Sequence, residues 1–194
     1  MARTKEFDPE KALDAAMELF WRQGYTATSM ADLTEHMGIA KASLYATFGS
    51  KHDLYVKALR RYLQTRDPSP IALLSRPGPV LPAVAALVNQ YAEESACDPQ
   101  RRGCLIVNSA TELLPGDGAV ARIVESALDS LEVALTAALT RAQAQGELPA
   151  DKDPQALARF IVVVLQGIRV LGRTHPHPER LRDAARQALQ VLEA

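Results

Sequence analysis

Cysteine is scarce in this chain of 194 residues, in which Cys97 and Cys104 are the only two. Two cysteines do not make the disulfide framework that holds small secreted domains together, so the chain must depend on an ordinary hydrophobic core. Aromatic residues are also few, at 5% of the chain against 47% hydrophobic residues, among which Ala and Leu dominate. Ala and Leu favour helices, whereas strands are enriched in β-branched and aromatic residues. The composition therefore predicts an all-α fold.

The chain also lacks a strong excess of charge and a long apolar run. Its formal net charge is −1, which excludes a general polycation, although residues 1–66 carry a slight excess of basic side chains. Such a protein can bind DNA only by placing a few charges well. No stretch of about 18 apolar residues is present, which argues against a membrane span, and the polar first residues lack the apolar core of a signal peptide. We therefore expect a cytoplasmic protein.

Residues 28–51 have the pattern of two short helices joined by a sharp turn at Gly38, followed by the start of a third helix. Apolar residues recur at helical spacing on both sides of this turn: Met30, Leu33 and Met37 before it, and Ile39, Leu44 and Phe48 after it. Small and polar residues remain on the outer face of the second helix, from about Ala40 to Thr47. Such a helix is slim enough to enter a major groove and can form hydrogen bonds there. The pattern predicts a helix-turn-helix that reads DNA.

Capping residues divide the rest of the chain into predicted helices. Asp8 can cap the first helix, Thr28 or Ser29 the second, and Ser50 the fourth. The prolines of residues 67–82 indicate a linker or an irregular connection.

The resulting prediction is a nine-helix architecture with two domains. Residues 1–50 form a three-helix helix-turn-helix domain, and a fourth helix at about 50–65 connects it to a helical C-terminal domain at 66–194. The predicted eighth helix, at about 154–172, is apolar nearly all round, which is typical of a helix buried on more than one side. Together with the amphipathic ninth helix, from 178 onwards, it would form a four-helix interface between two chains. The alternative is that the eighth helix is the central core helix of a monomer.

Three runs of the N-terminal part resemble the TetR family of transcriptional regulators: AAMELFWRQGYTATS at residues 15–29, GIAKASLY at 38–45 and FGSK at 48–51. The resemblance implies an all-α dimer that binds a palindromic operator. It also implies that the C-terminal domain binds a small molecule and thereby respaces the two DNA readers. A repressor of this kind releases its operator when the ligand binds.

The resemblance also implies the residues that contact DNA. Base and backbone contacts fall on Lys41, Ser43 and Tyr45, and phosphate contacts on Thr28, Thr47 and Lys51. Bulkier residues are common in the family at the positions of Ala46 and Thr47, so base preference is expected to differ here. Tyr45 could instead be a partly buried packing residue, and Lys41 and Ser43 could be merely solvated.

The run RRGCLIVN at residues 101–108 is the second informative stretch. It resembles a Gly-Cys entry to a helix in a subset of the family, some of whose members sense electrophiles or oxidants through that cysteine. A thiol at a helix N-terminus beside two arginines would have its thiolate form favoured, although most buried cysteines are inert core residues. Asn108 follows one turn later and could line a ligand cavity or bond to buried backbone. Glu112, a further turn on, could recognise a basic ligand or form a surface salt bridge.

Two other classes of protein are alternatives to a DNA-binding regulator. An all-helical enzyme could use Cys104 as a nucleophile, but none of the four histidines lies near it in the sequence to serve as a base. A helical adaptor would leave the polar outer face of the helix-turn-helix unexplained. No cofactor and no metal are expected, and His175 and His177 are read as part of a solvated turn.

Overall fold

The computed structural model describes residues 7–65, 69–174 and 177–193. Within these ranges the chain forms helices and connecting turns, without a strand. The ten helices of the described residues are α1 (Pro9–Gln23), α2 (Met30–Met37), α3 (Lys41–Phe48), α4 (Lys51–Gln64), α5 (Pro70–Leu74), α6 (Val80–Cys97), α7 (Leu105–Leu113), α8 (Gly118–Ala144), α9 (Pro154–Leu171) and α10 (Pro178–Glu193). The all-α class is confirmed, with one helix more than the nine predicted. The first six residues, part of the predicted linker and His175 lie outside these ranges.

The additional helix, α5, lies in the segment that was predicted to be a linker. Ser69 caps it, and Pro70 occupies its first turn, where a missing N–H leaves no hydrogen bond unmade. Leu73 and Leu74 bury their side chains in the core. The prediction of an irregular connection is therefore wrong at this point, because a proline that directly follows a serine cap begins a helix.

The chain divides into two compact units. The N-terminal unit takes in the described residues up to 65 together with Asn108–Val124, and the C-terminal unit takes in the described residues of 69–107 and those from Glu125 onwards. The boundary falls inside α7, after Val107, and inside α8, after Val124. Each of these two helices therefore begins in one unit and continues in the other.

In the N-terminal unit, α1 packs against α2 and α4, and α3 contacts α2 and α4. The larger buried side chains of these helices include Leu19, Phe20, Leu33, Leu44, Leu54, Tyr55 and Leu59. Phe20 and Tyr55 meet edge to face, with ring centroids 4.9 Å apart. The predicted caps at Asp8 and Ser50 are confirmed, since each side chain accepts a hydrogen bond from the first turn of its helix.

In the C-terminal unit, α6 packs against α5, α9 and α10, and α9 also packs against α10. Helix α9 buries Leu157, Ala158, Ile161, Leu165 and Ile168 on one face. Its other face leaves apolar side chains exposed: Phe160, Val163, Val170 and Leu171. Of the helices in the described ranges, α9 alone is long and apolar enough to span a membrane, and a core helix with one buried face passes the same test.

Candidate DNA-binding surface

The turn between α2 and α3 has the geometry of a helix-turn-helix. Gly38 ends α2 in the left-handed conformation with φ of 65°, and its N–H donates to the carbonyl groups of the last turn. Glycine adopts this conformation without the steric cost that a Cβ would add. The next helix, α3, begins at Lys41, only three residues after Gly38.

Ser29, and not Thr28, caps α2. The Ser29 hydroxyl accepts from Asp32 N at 3.1 Å while the Asp32 carboxylate accepts from Ser29 N at 2.8 Å, which completes a capping box. Thr28 is fully buried, and its hydroxyl donates to the carbonyl oxygen of Gly24 at 2.6 Å. Of the two residues that the sequence allowed as the cap of α2, the structure therefore has Ser29. The Thr28 side chain is also not placed to contact a phosphate, because its hydroxyl is buried and bonded to backbone.

Helix α3 separates its buried face from its outer face as the sequence predicts. Leu44 and Phe48 are buried, whereas Lys41 is exposed and 46% of the Tyr45 surface is accessible. Ser43 and Thr47 are half-buried. Tyr45 is therefore exposed on the outer face with Lys41, although part of its surface is buried against the protein.

Lys51 stands in the first turn of α4, directly after the Ser50 cap. Its Nζ lies 4.4 Å from the centroid of the Tyr25 ring, within the range of a cation–π contact. The Tyr25 ring in turn packs against Tyr55, with centroids 4.8 Å apart. The Lys51 side chain is therefore half-buried and oriented by an aromatic ring.

Lys57 is a functional candidate that the sequence analysis missed. Phe48 is the last residue of α3, and Lys57 Nζ donates to its backbone carbonyl at 2.9 Å. A cation at a helix C-terminus stabilises the unpaired carbonyl groups there. The i+9 spacing across a turn gives no local sequence signal, so this support for α3 emerges only from the structure.

Two carboxylates beside this surface are held by caps. The backbone N–H of Ser29 holds the pKa of Asp32 below its ordinary value, and the Ser50 hydroxyl does the same for Asp53. Both groups therefore remain charged and bonded to backbone at neutral pH. Their hydrogen bonds fix the starts of α2 and α4, the two helices that flank α3.

The three effector candidates, Cys104, Asn108 and Glu112, do not all belong to the same unit. Cys104 is buried with 4% of its surface exposed and comes directly before α7, in the C-terminal unit. Asn108 is buried too, but belongs to the N-terminal unit. Glu112 accepts hydrogen bonds from the backbone N–H groups of Tyr25 and Thr26. Both of its oxygens thus bind backbone within the N-terminal unit, which argues against a role for Glu112 as an effector contact.

Two family models match separate parts of the chain. The model of bacterial regulatory proteins of the tetR family matches residues 12–58, and the model of the tetracyclin repressor-like C-terminal domain matches residues 80–189. The chain is 37% identical to the HTH-type transcriptional regulator YezE of Bacillus subtilis (strain 168), over 100% of both chains. It is 34% identical to the HTH-type transcriptional repressor ComR of Escherichia coli (strain K12), over 97% of this chain and 90% of ComR.

A solved structure of a TetR family regulator has a similar fold. The TetR family regulator CifR, as a cysteine mutant complexed with 26-bp double-stranded operator DNA, superposes with a TM-score of 0.87 at 33% identity. The match covers 98% of this chain and 100% of that one. This family consists of transcriptional regulators and not of enzymes, so the interpretation of Cys104 as an enzymatic nucleophile is wrong. The chain belongs to the TetR family of bacterial transcriptional regulators.

Proposed function

We propose that this regulator is a repressor whose homodimer binds a palindromic operator in double-stranded DNA and releases it in response to an effector. The observation that carries this proposal is the outer face of α3, where Lys41 and Tyr45 are exposed behind a tight turn at Gly38. The repressor function of ComR and the operator complex of CifR support it. A protein with this function acts where DNA is, in the cytoplasm.

The proposed contacts fall into two kinds. Lys41, Ser43 and Tyr45 read base edges and adjacent backbone from within the major groove, while Thr47 and Lys51 bind phosphates. Base contacts determine sequence preference, and phosphate contacts determine orientation and the dependence on salt. With so few cations on one reader, useful affinity requires two readers on one operator.

We assign dimerisation to α9 and α10. The exposed apolar side chains of α9 recur at helical spacing, and Val163 has 70% of its surface exposed. A row of apolar side chains on the surface of one chain indicates a protein interface. A second copy of the chain would cover this row with the same row, as a two-fold dimer requires. In this scheme residues 1–50 form the DNA-binding domain, and residues 66–194 form the domain for ligand binding and dimerisation.

The effector acts on the C-terminal domain, either as a small molecule in its core or through modification of Cys104. Cys104 directly precedes α7, which starts in the C-terminal unit and continues in the N-terminal unit. A change at the first residues of one continuous helix therefore reaches residues that belong with the DNA reader. The effector shifts the population of dimers from the DNA-binding to the released state.

The test is a titration of the protein against double-stranded DNA from the region upstream of its own gene, measured by fluorescence anisotropy. We expect tight binding with a protected site that is palindromic, and half-sites about one helical turn or slightly more apart. Binding should weaken as salt is raised. Equal affinity for upstream and unrelated DNA would contradict the proposal.

The cysteine route has its own control. A mild oxidant should release the operator from the wild-type protein but not from Cys104→Ser, while Cys97→Ser should respond as the wild type does. Cys97 is an exposed cysteine on α6, which makes it a matched control for general oxidation. Release from Cys104→Ser at the same oxidant concentration would leave only the small-molecule route.

A further inference from the structure

The carboxylate of Glu112 holds the turn between α1 and α2. Tyr25 N donates to Oε2 at 3.0 Å and Thr26 N donates to Oε1 at 2.6 Å. Gly24, the residue before them, has φ of 86°, and a Cβ at this position would lie 2.9 Å from Oε2. The turn thus offers one residue without a side chain and two successive N–H groups to a single carboxylate.

The charge of Glu112 is maintained by these contacts. Burial raises the pKa of its carboxyl group, but hydrogen bonds from Thr26 and Tyr25 and the positive charge of Lys51 outweigh burial, so the pKa lies below its ordinary value. The group is therefore ionised at neutral pH, and the two hydrogen bonds are charge-assisted, which makes them stronger than neutral ones.

Glu112 reaches Lys51 through Tyr25. The same residue that donates its backbone N–H to Glu112 carries the ring over which Lys51 Nζ lies, at 4.4 Å from the centroid. Contacts with the Tyr55 and Phe20 rings, at centroid distances of 4.8 and 6.3 Å, leave the Tyr25 ring little freedom. The position of the Lys51 ammonium group therefore depends on where the turn is held.

Two other polar contacts anchor the same segment, Asn108–Val124, to α4. The hydroxyl groups of Tyr55 and Ser109 lie 2.8 Å apart, and His52 Nε2 lies 2.6 Å from Asp117 Oδ2. Asp117 also accepts from backbone N–H groups in the first turn of α8, at 3.0 Å. Glu112 thus acts from a segment that is fixed on both sides of it.

We propose that Glu112 is a positioning residue for DNA binding, which holds the turn at Tyr25 and Thr26 so that Lys51 is placed to contact a phosphate. The inference rests on the proposed function, since it takes Lys51 as a phosphate contact. It also assigns a role in the DNA reader to a residue that lies far along the chain from the helix-turn-helix.

If only the charge of Glu112 mattered, its removal would change operator affinity in the opposite direction. A carboxylate near a phosphate-binding lysine repels DNA, so its removal by itself should strengthen binding. A positioning role predicts that its removal weakens binding, because Lys51 loses its fixed place. The sign of the change in operator affinity therefore distinguishes the two.

The experiment compares operator binding by Glu112→Ala, Glu112→Gln, Lys51→Ala and the double variant Glu112→Ala/Lys51→Ala over a series of salt concentrations. We expect Glu112→Ala to bind about tenfold more weakly, with a salt slope reduced by about one, as for Lys51→Ala. Glu112→Gln keeps one acceptor oxygen and should restore part of the affinity. The double variant should bind no more weakly than Lys51→Ala, since both changes remove the same contact.

Glu18→Gln is the charge control. Glu18 is an exposed acid on α1, and its neutralisation should leave affinity unchanged or slightly raise it. Circular dichroism at the assay temperature verifies that each variant is folded. Operator binding by Glu112→Ala as tight as the wild type, or tighter, overturns the proposal.

A second measurement separates this inference from the proposed function. The amide protons of Tyr25 and Thr26 should resonate downfield in NMR spectra of the DNA-free protein and move upfield in Glu112→Gln. If the wild type binds no upstream DNA, the proposed function fails, while these amide signals still decide whether the carboxylate holds the turn. Unchanged amide signals in Glu112→Gln overturn the inference whether or not DNA binds.

Discussion

The outer faces of α3 and α9 are both left uncovered in the single chain, but their chemistry is opposite. Helix α3 exposes Lys41 and Tyr45 among small and polar residues, whereas α9 exposes Phe160, Val163 and Val170. Hydrogen-bonding groups on a slim helix can pair with base edges, while an apolar row gains free energy only by leaving water. The two faces therefore suit two kinds of recognition, and we propose that the first is directed at nucleic acid and the other at a second copy of the chain.

The largest effect should come from placing a charge in the apolar row. Val163→Asp should prevent dimerisation, because a second copy could cover the row only by burying an unpaired carboxylate. Operator affinity should then fall about a hundredfold or more, since the two readers no longer act on one site. Sedimentation and anisotropy measure the two consequences separately.

Ile71→Asp provides the matched control for that change. Ile71 is an exposed apolar residue on α5, a different helix from α9, and the same charge there should leave both the dimer and the operator affinity unchanged. A dimer that persists in Val163→Asp would show that the second copy binds elsewhere, and the comparison between α3 and α9 would fail.

Removal of the Lys41 side chain should have the next largest effect. Lys41→Ala is expected to lower operator affinity about tenfold to a hundredfold and to relax base preference, as the loss of a base-edge contact does. Lys11→Ala, which removes an exposed lysine from α1, should change affinity little. Equal losses on operator and unrelated DNA would reassign Lys41 from base reading to phosphate binding.

A smaller effect is expected from acid, which should lower the thermal stability of the N-terminal unit by weakening the cap of α4. The Ser50 hydroxyl and backbone N–H lower the pKa of Asp53, so the charged cap stabilises the fold above the ordinary pKa of 3.8. That contribution is lost as pH falls through the lowered value. In thermal unfolding experiments, Asp53→Asn should lower Tm at neutral pH, and the difference from wild type should shrink in acid. A difference that is constant with pH would contradict this assignment.

Local signals in the sequence account for the helix-turn-helix. Ser50, Gly38 and Asp8 act within one or two turns of their own positions, and capping rules describe such contacts well. The family resemblance added the positions on α3, and Lys41 and Tyr45 are indeed on its exposed face. These predictions depend only on neighbouring residues.

Contacts between distant parts of the chain were not predictable. The carboxylate of Glu112 bonds to backbone N–H groups 86 and 87 residues earlier, and backbone groups leave no trace in a sequence pattern. The cap of α2 stayed open between Thr28 and Ser29 for a related reason, since a threonine beside a serine at a helix start gives no indication of which side chain turns inward. The segment of α5 was predicted to be irregular because its prolines were taken only as helix breakers, whereas Pro70 lies in the first turn of the helix.

The unit boundaries inside α7 and α8 have a practical consequence for exchanging domains between regulators. The N-terminal unit is discontinuous in sequence, because it also contains Asn108–Val124, which follows the first segment of the C-terminal unit along the chain. A chimera that grafts only the first 66 residues onto another family member would leave Ser109, Glu112 and Asp117 behind. A portable DNA reader from this protein is therefore a two-piece module, and its second piece must travel with the first.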